Sequence, residues 1–244
     1  MPKYKITIEY DGTNYVGWQK QSNGSSIQEG IEKALYRLTG VNTSIFGAGR
    51  TDAGVHALGQ VAHFELEKDF KIDNIRDGLN QHLRPSLIAI LKVELVSDTF
   101  HSRFSAKKRT YIYKIVNRRA PLTTDKSKKW LVFKKLNINK MIKESKFFLG
   151  KNDLNAFRSI NCQSNTSIKT IDSIEIISNK DDLMITVIAK SFLHSQVRIM
   201  VGTLVEIGKG KIKFSIQNII NQGERSKAGI TAPACGLYLL KVEY

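Results

Sequence analysis

The chain has 244 residues, 41% hydrophobic and 25% charged, a composition that builds one large packed domain or two small ones and excludes a disordered or fibrous polymer. No apolar run reaches the length of a membrane span. The two cysteines, Cys162 and Cys235, form no C-x-x-C pair, which argues against a disulfide framework or a zinc site and fits a reducing cytoplasm. The 38 basic and 22 acidic residues leave a net charge of +16, an excess that suits the grip of a phosphate backbone, although a lysine-rich genome or an acidic membrane surface also accounts for positive charge.

The opening MPKYKITIEY alternates as a half-buried strand rather than a signal peptide, with Ile6, Ile8 and Tyr10 on one face and Lys5, Thr7 and Glu9 on the other. DGTNYVGWQ then turns. In SSIQEGIEKALYRLTG the residues Ile27, Ile31, Ala34, Leu35 and Leu38 form a helical stripe, with a capping box at Ser26 and Glu29 and a stop at Gly40. QVAHFELE predicts a strand. Residues 71–84 predict a helix with Ile72, Ile75, Leu79 and Leu83 on one face, and LIAILKVELV a further strand.

The second half follows the same style. YIYKIVN predicts a strand and INKMIKESKFFLG a helix with a glycine stop. TIDSIEIIS and DLMITVIAK form a hairpin around 179–181. FLHSQVRIMVGTLVEIGKG predicts a helix with Val197, Met200, Val201, Leu204 and Ile207 inward, and GLYLLKVEY a closing strand. The pattern is α+β, with mostly antiparallel sheets and helices on one face. The boundary between an N-terminal half, 1–105, and a C-terminal half, 106–244, falls near FHSRFSAKKRT, which carries five basic residues if His101 is counted. Further basic residues gather at 118–119 and 126–135.

GAGRTDAGVHALGQ, residues 47–60, is the stretch that invites chemistry. An aspartate in a glycine loop is commonly a turn residue bonded to its own backbone. The Walker and dinucleotide-binding glycine patterns are both absent. Yet Arg50 and Asp52 project one long cation and one acid from a loop of small residues, the parts needed for carboxylate chemistry on a nucleotide held by its phosphates. His56 and His63 are poorly spaced for a shared metal, and no His/Cys cluster exists to bind one.

The ten-residue core G-A-G-R-T-D-A-G-V-H at 47–56, followed by G-Q-V-A-H-F at 59–64, resembles the active-site motif of the tRNA pseudouridine synthase A family. I-E-Y-D-G-T at 8–13, Y-V-G-W-Q at 15–19, F-H-S-R-F-S-A at 100–106 followed by Tyr111, L-G-K-N-D at 149–153, F-L-H-S-Q-V-R at 192–198 and G-L-Y-L at 236–239 extend the resemblance in order along nearly the whole chain. Ile199 stands where the family has asparagine, and Ser195-Gln196 where it has histidine and methionine.

The resemblance implies two similar α/β halves with a catalytic cleft between them. It implies a cytoplasmic homodimer in which one tRNA contacts both subunits, and isomerisation of uridine to pseudouridine at positions 38, 39 and 40 of the anticodon stem-loop, with no cofactor and no metal. By the same resemblance Asp52 is the catalytic carboxylate and Arg198 its cationic partner. Tyr111 stacks on the uracil and takes its C5 proton, Leu237 is the apolar floor, and Arg50 fills the gap left by the extruded nucleotide. The basic groups at 103–109, which include Lys107, Lys108 and Arg109, at 118–119 and at 126–135 are predicted to line a basic cleft for the RNA backbone. A synthase of the same family with another RNA target, or a silent tRNA-binding chaperone, is the alternative.

Overall fold

The computed structural model describes residues 1–244. In chain order the elements are β1 (Lys3–Tyr10), α1 (Ile27–Thr39), β2 (Phe46–Gly47), β3 (His56–Glu65), α2 (Ile72–Leu83), β4 (Ile88–Val96), β5 (Lys108–Val116), β6 (Trp130–Leu131), α3 (Ile138–Ser145), β7 (Gly150–Asp153), β8 (Ile168–Asn179), β9 (Asp182–Ala189), α4 (Gln196–Gly208), α5 (Ile216–Gln222) and β10 (Leu237–Glu243). They pack as two units, Met1–Lys107 with Tyr238–Tyr244, and Lys108–Leu237. The sequence reading gave everything after residue 105 to one half. The packing instead breaks after Lys107 and returns the last seven residues to the first unit.

In the first unit the strands run β4-β1-β3-β10, with β2 beside β3. β1 is antiparallel to both β3 and β4, and β3 is parallel to β10. The period-2 pattern of β1 is realised: Tyr4, Ile6, Ile8 and Tyr10 are buried while Glu9 is exposed. Ser26 caps α1 by accepting from the Glu29 N–H at 3.2 Å, and Gly40 closes it in the left-handed region at φ 74°. Gly30 lets α1 approach the side chain of Ile88 on β4. On α2, Ile75, Leu79 and Leu83 are buried, but Ile72, in the first turn of the helix, is 45% exposed.

The return of the C-terminus has a local cause. Gly59 has no side chain where the Leu240 carbonyl passes, Tyr238 stacks on His56 with ring centres 4.6 Å apart, and the Lys107 N–H donates to the Glu243 carbonyl at 2.8 Å.

The second unit is a sheet in the order β5-β9-β8-β7, its neighbours antiparallel, with the short β6 parallel to β5. The β8–β9 hairpin turns at 179–182 as expected, with Lys180 at φ 53°. α4 starts at Gln196, four residues after the expected start, because Ser195 sits in the left-handed region at φ 57° and interrupts the helical path. Once begun, α4 is buried on every side, Arg198 being the one residue of the helix that is not.

A polar knot fixes one edge of the first unit. Ser102 is fully buried; its hydroxyl donates to the Phe46 carbonyl at 2.5 Å, and its carbonyl accepts from the Tyr244 hydroxyl at 2.8 Å. His63 Nδ1 lies 2.9 Å from that serine oxygen, and the His63 ring stacks on Phe46 with centres 5.2 Å apart. Burial, then the positive fields of His101 and Lys3, push His63 down to about 4. Its neutral form is therefore the native one. An unfolded histidine titrates near 6.5, so the unfolded chain binds the extra proton first as pH falls, and the stability contributed by neutral His63 is lost from pH 6.5 downward. Between pH 7.5 and pH 5 the loss expected from this residue is about 2 kcal/mol. Urea unfolding at the two pH values, compared between wild type and His63→Gln, checks this; equal pH dependence in the two proteins refutes it.

Candidate active site

The loop carrying Asp52 makes little regular structure of its own and is gripped from outside. β2 pairs it to β3 at its start, and the Ala48 N–H donates to the Val61 carbonyl at 2.7 Å. The fully buried Gln60 donates its side-chain amide to the Gly49 carbonyl at 2.9 Å. The Thr51 hydroxyl lies 2.8 Å from the phenol of Tyr10, and its carbonyl accepts from the Trp18 N–H at 3.1 Å. A turn closes where the Val55 N–H donates to the Asp52 carbonyl at 3.1 Å.

Two glycines outside the loop make this grip possible. A Cβ on Gly12 would overlap the carbonyl of Val55. One on Gly17, which also sits at φ 117°, would lie 2.6 Å from the Thr51 carbonyl oxygen and 3.2 Å from the carbonyl carbon of Asp52. The D-G and V-G steps of the N-terminal motif are thus the scaffold of the aspartate loop. Gly47 has an internal reason as well: the space its side chain would take is filled by the Trp18 indole, 2.6 Å from an ideal Cβ. That room belongs to the protein and not to an approaching RNA.

The outcome is selective exposure. Thr51 and Val55 are buried, Asp52 is half-buried between them, and Arg50 is exposed. His56 is buried, its Nδ1 3.1 Å from the Gly12 nitrogen and 3.0 Å from an Asp11 oxygen. His56 and His63 therefore serve internal polar contacts. No group of three His, Cys, Asp or Glu side chains is placed to hold a metal ion.

In the second unit Tyr111 lies on β5, 8% exposed, edge-on to Phe192 with ring centres 5.3 Å apart. Tyr113, two positions on, differs in kind. It is fully buried, donates to the Pro233 carbonyl at 2.6 Å, and burial drives its phenol far above the ordinary tyrosine range. It is the packed tyrosine of the pair. Leu237, the first residue of β10, is 6% exposed.

Arg198 is positioned by backbone on both sides. Its Nε donates to the Ala232 carbonyl at 2.8 Å, and its own carbonyl accepts from the Ala232 N–H at 3.1 Å. The segment bearing Ala232 presses on α4 because Gly202 has no side chain where the Ile230 carbonyl lies, and Gly229 sits where a Cβ would be 2.6 Å from the Cα of Thr203. The Gly229 N–H donates to the Thr203 hydroxyl at 2.8 Å. The role of this 229–232 segment was not read from the sequence, although A-G-I-T-A is a run of small residues. The two family departures fall on packing: Ile199 is fully buried, and the buried Gln196 accepts from the Leu193 N–H at 2.7 Å.

The basic row at 107–109 divides. Lys107 and Lys108 are exposed. Arg109, expected with them in the basic lining that holds the RNA backbone, is 7% exposed, and its guanidinium donates to the Lys190 carbonyl. In the 126–135 group Lys129 is likewise engaged, with Asp182 at 2.8 Å and Asp125 at 2.9 Å.

A sequence model described as tRNA pseudouridine synthase matches the chain twice, over residues 6–105 and 145–244. The chain therefore belongs to the tRNA pseudouridine synthase family. It is similar to the tRNA pseudouridine synthase A of Wolbachia pipientis wMel, at 52% identity over 99% of this chain and 100% of the relative. The protein of that name from Ehrlichia chaffeensis is also 52% identical over 99% and 100%, and that of Maricaulis maris is 46% identical over 100% and 98%. The protein is an isomerase that converts uridine to pseudouridine in tRNA.

Gly12 gives a direct check on the scaffold. Gly12→Ala is expected to destabilise by about 1–3 kcal/mol and to lower turnover as well, because the displaced group is the Val55 carbonyl beside the aspartate turn. Gly40→Ala has open space around the new methyl and bears only the left-handed backbone penalty, about 1 kcal/mol, with turnover unchanged. Urea unfolding and initial rates on the two variants decide it; full activity in Gly12→Ala would sink the scaffold role.

Proposed function

We propose that this enzyme modifies uridines 38, 39 and 40 in the anticodon stem-loop of tRNA, with the Asp52 carboxylate as its catalytic group and with no cofactor. The observation that carries this is the half-buried Asp52 in a loop held on both sides of it, at Gly49 and Thr51 before it and at Val55 after it. Such a carboxylate is held in one place while remaining accessible to a nucleotide.

The reaction is an isomerisation and its atoms balance. The N1–C1′ bond breaks, the uracil turns while bound, C5 bonds to C1′, the proton on C5 leaves and N1 gains one. The target nucleotide leaves its stack to reach the site. Tyr111 is assigned the face against the uracil and the late removal of the C5 proton. Leu237 is assigned the apolar floor, and Arg50 the gap left in the RNA.

Arg198 is assigned the pairing with Asp52. Spacing alone would make it a solvated helix residue, but a helix buried on every other side does not present a solvated face. A half-buried guanidinium held at its backbone and its Nε suits a partner for a carboxylate that acts near neutral pH. Lys107 and Lys108 are assigned to the RNA backbone. The family resemblance supports a cytoplasmic homodimer with one tRNA touching both subunits.

Tritium release from a tRNA transcript carrying 5-³H-uridine tests the chemistry. Wild type is expected to release tritium, with the modified positions mapping to 38–40. Asp52→Ala and Asp52→Asn are expected to lose at least about 10³-fold in rate while still binding tRNA. Near-normal release by Asp52→Ala would remove the assigned role, and release from other positions would move the target.

The backbone grip has its own test. Lys107→Ala/Lys108→Ala is expected to reduce the slope of log affinity against log salt by about 2. Unchanged tRNA affinity at low salt would exclude these lysines from the interface. Arg109→Ala is expected to act on stability instead, through the lost bond to Lys190.

A further inference from the structure

The far end of β5 opens onto a second basic feature. Asn117 lies six residues beyond Tyr111, about 20 Å along the strand at roughly 3.3 Å per residue. It clamps three segments together. Its side-chain amide donates to the carbonyls of Val132 at 2.7 Å and Lys134 at 2.8 Å, and its side-chain oxygen accepts from the Leu136 N–H at 3.0 Å. Its backbone N–H donates to the Asp181 carbonyl in the β8–β9 turn at 2.8 Å.

A cavity of about 420 Å³ lies against this clamp. Its lining takes Arg118 and Arg119 from the end of β5, Lys135 from the clamped segment and Lys180 from the hairpin turn, and Asp181 is the one acid among the lining residues. Phe133, 61% exposed, stands on the wall. Most of these residues lie in 106–144, between the two stretches that the family model matches.

The bland alternative is a solvated basic surface. Against it, the cations come from three separate segments that one set of part-buried hydrogen bonds at Asn117 holds around a concave space, and a large aromatic ring is left uncovered beside them. Like charges gathered in this way repel one another unless an anion joins them, and an exposed ring beside cations suits the face of a base.

We propose that this cavity holds the sugar-phosphate backbone of the tRNA, with a base against Phe133, at a place remote from the target uridine. The inference rests on tRNA as the substrate, and the distance from the target rests on the role assigned to Tyr111. The site grips without taking part in the chemistry. Its cations neutralise phosphates and release their counterions.

The test compares two lysine pairs in the Asp52→Asn background, where binding is read without turnover. One pair is Lys135→Ala/Lys180→Asn, asparagine being chosen because it tolerates the left-handed backbone at position 180. The other is Lys68→Ala/Lys71→Ala, exposed lysines in the first unit that remove the same charge. Filter binding of tRNA is measured from 50 to 200 mM salt, with urea unfolding to confirm that each variant is folded. The cavity pair is expected to lower the slope of log affinity against log salt by about 2, so that its affinity deficit is roughly tenfold larger at 50 mM than at 200 mM. The control pair is expected to shift the slope by less than half as much. Equal slopes for the two pairs, whether both reduced or both unchanged, would overturn the proposal. Tritium release by the parent enzyme is read separately, so failure of the catalytic assignments leaves this result interpretable.

Discussion

Asp52 is held by backbone that reaches it from outside its own loop, and much of the first unit is arranged around that contact. A loop without a hydrogen-bonded ladder is ordinarily free to move. Here the missing order is supplied by close approach. Gly12 lies on Val55, Gly17 on Thr51 through Ala53, and the Trp18 indole fills the place of a side chain at Gly47. None of these contacts is an attraction of any size. They work by leaving no room for another conformation. Arg198 is fixed in the second unit by the same means, through Gly202 against Ile230 and Gly229 against Thr203. Each unit thus places the side chain to which a catalytic role is assigned above by close backbone approach at glycine. The cost of lost conformational entropy at glycine is offset by precision where small displacements matter most to rate.

The charge of +16 is distributed less evenly than the sequence suggests. Lys3 faces Glu65 at 3.0 Å, Lys5 faces Glu94 at 3.0 Å, and Lys209 faces the buried Glu206 at 2.9 Å. Lys129 is shared between two aspartates, and Arg109 is turned into the structure. The more exposed of these pairs add little to stability, but all of them decide which cations are already engaged. What remains for a phosphate backbone is a smaller set, which includes cations at the two ends of β5.

Where the sequence was readable, local chemistry dictated the answer. The Ser26 cap, the Gly40 stop, the alternation of β1 and the β8–β9 turn all depend on residues within a few positions of one another. The aspartate loop was found by its motif. The misses required distant neighbours. Ile72 shares the period of its helix yet faces solvent, and Arg109 looks like one more surface cation until β9 is paired beside it. The late start of α4 turns on the backbone angle of Ser195, which a serine does not announce. The return of 238–244 to the first unit depends on Gly59 and His56, some 180 residues away in the chain. Lys180 joined the cavity because a hairpin turn and the clamp at Asn117 bring it there.

β5 links several of these features. It carries Lys108 at its start and Tyr111 within it, and Asn117 follows at its end. Its pairing with β9 runs from Arg109 to Val116 without a register shift, whereas the pairings of β1 and of β8 with β9 are all interrupted by one. An unbroken ladder makes the strand a ruler. The nine steps from Lys108 to Asn117 span about 30 Å at roughly 3.3 Å per residue, with the tyrosine assigned to the uracil between the ends. On the assignments proposed above, the spacing of the two grips would select an RNA by its shape, because phosphates of the wrong curvature would not reach both ends of the strand while the target uridine sits at Tyr111.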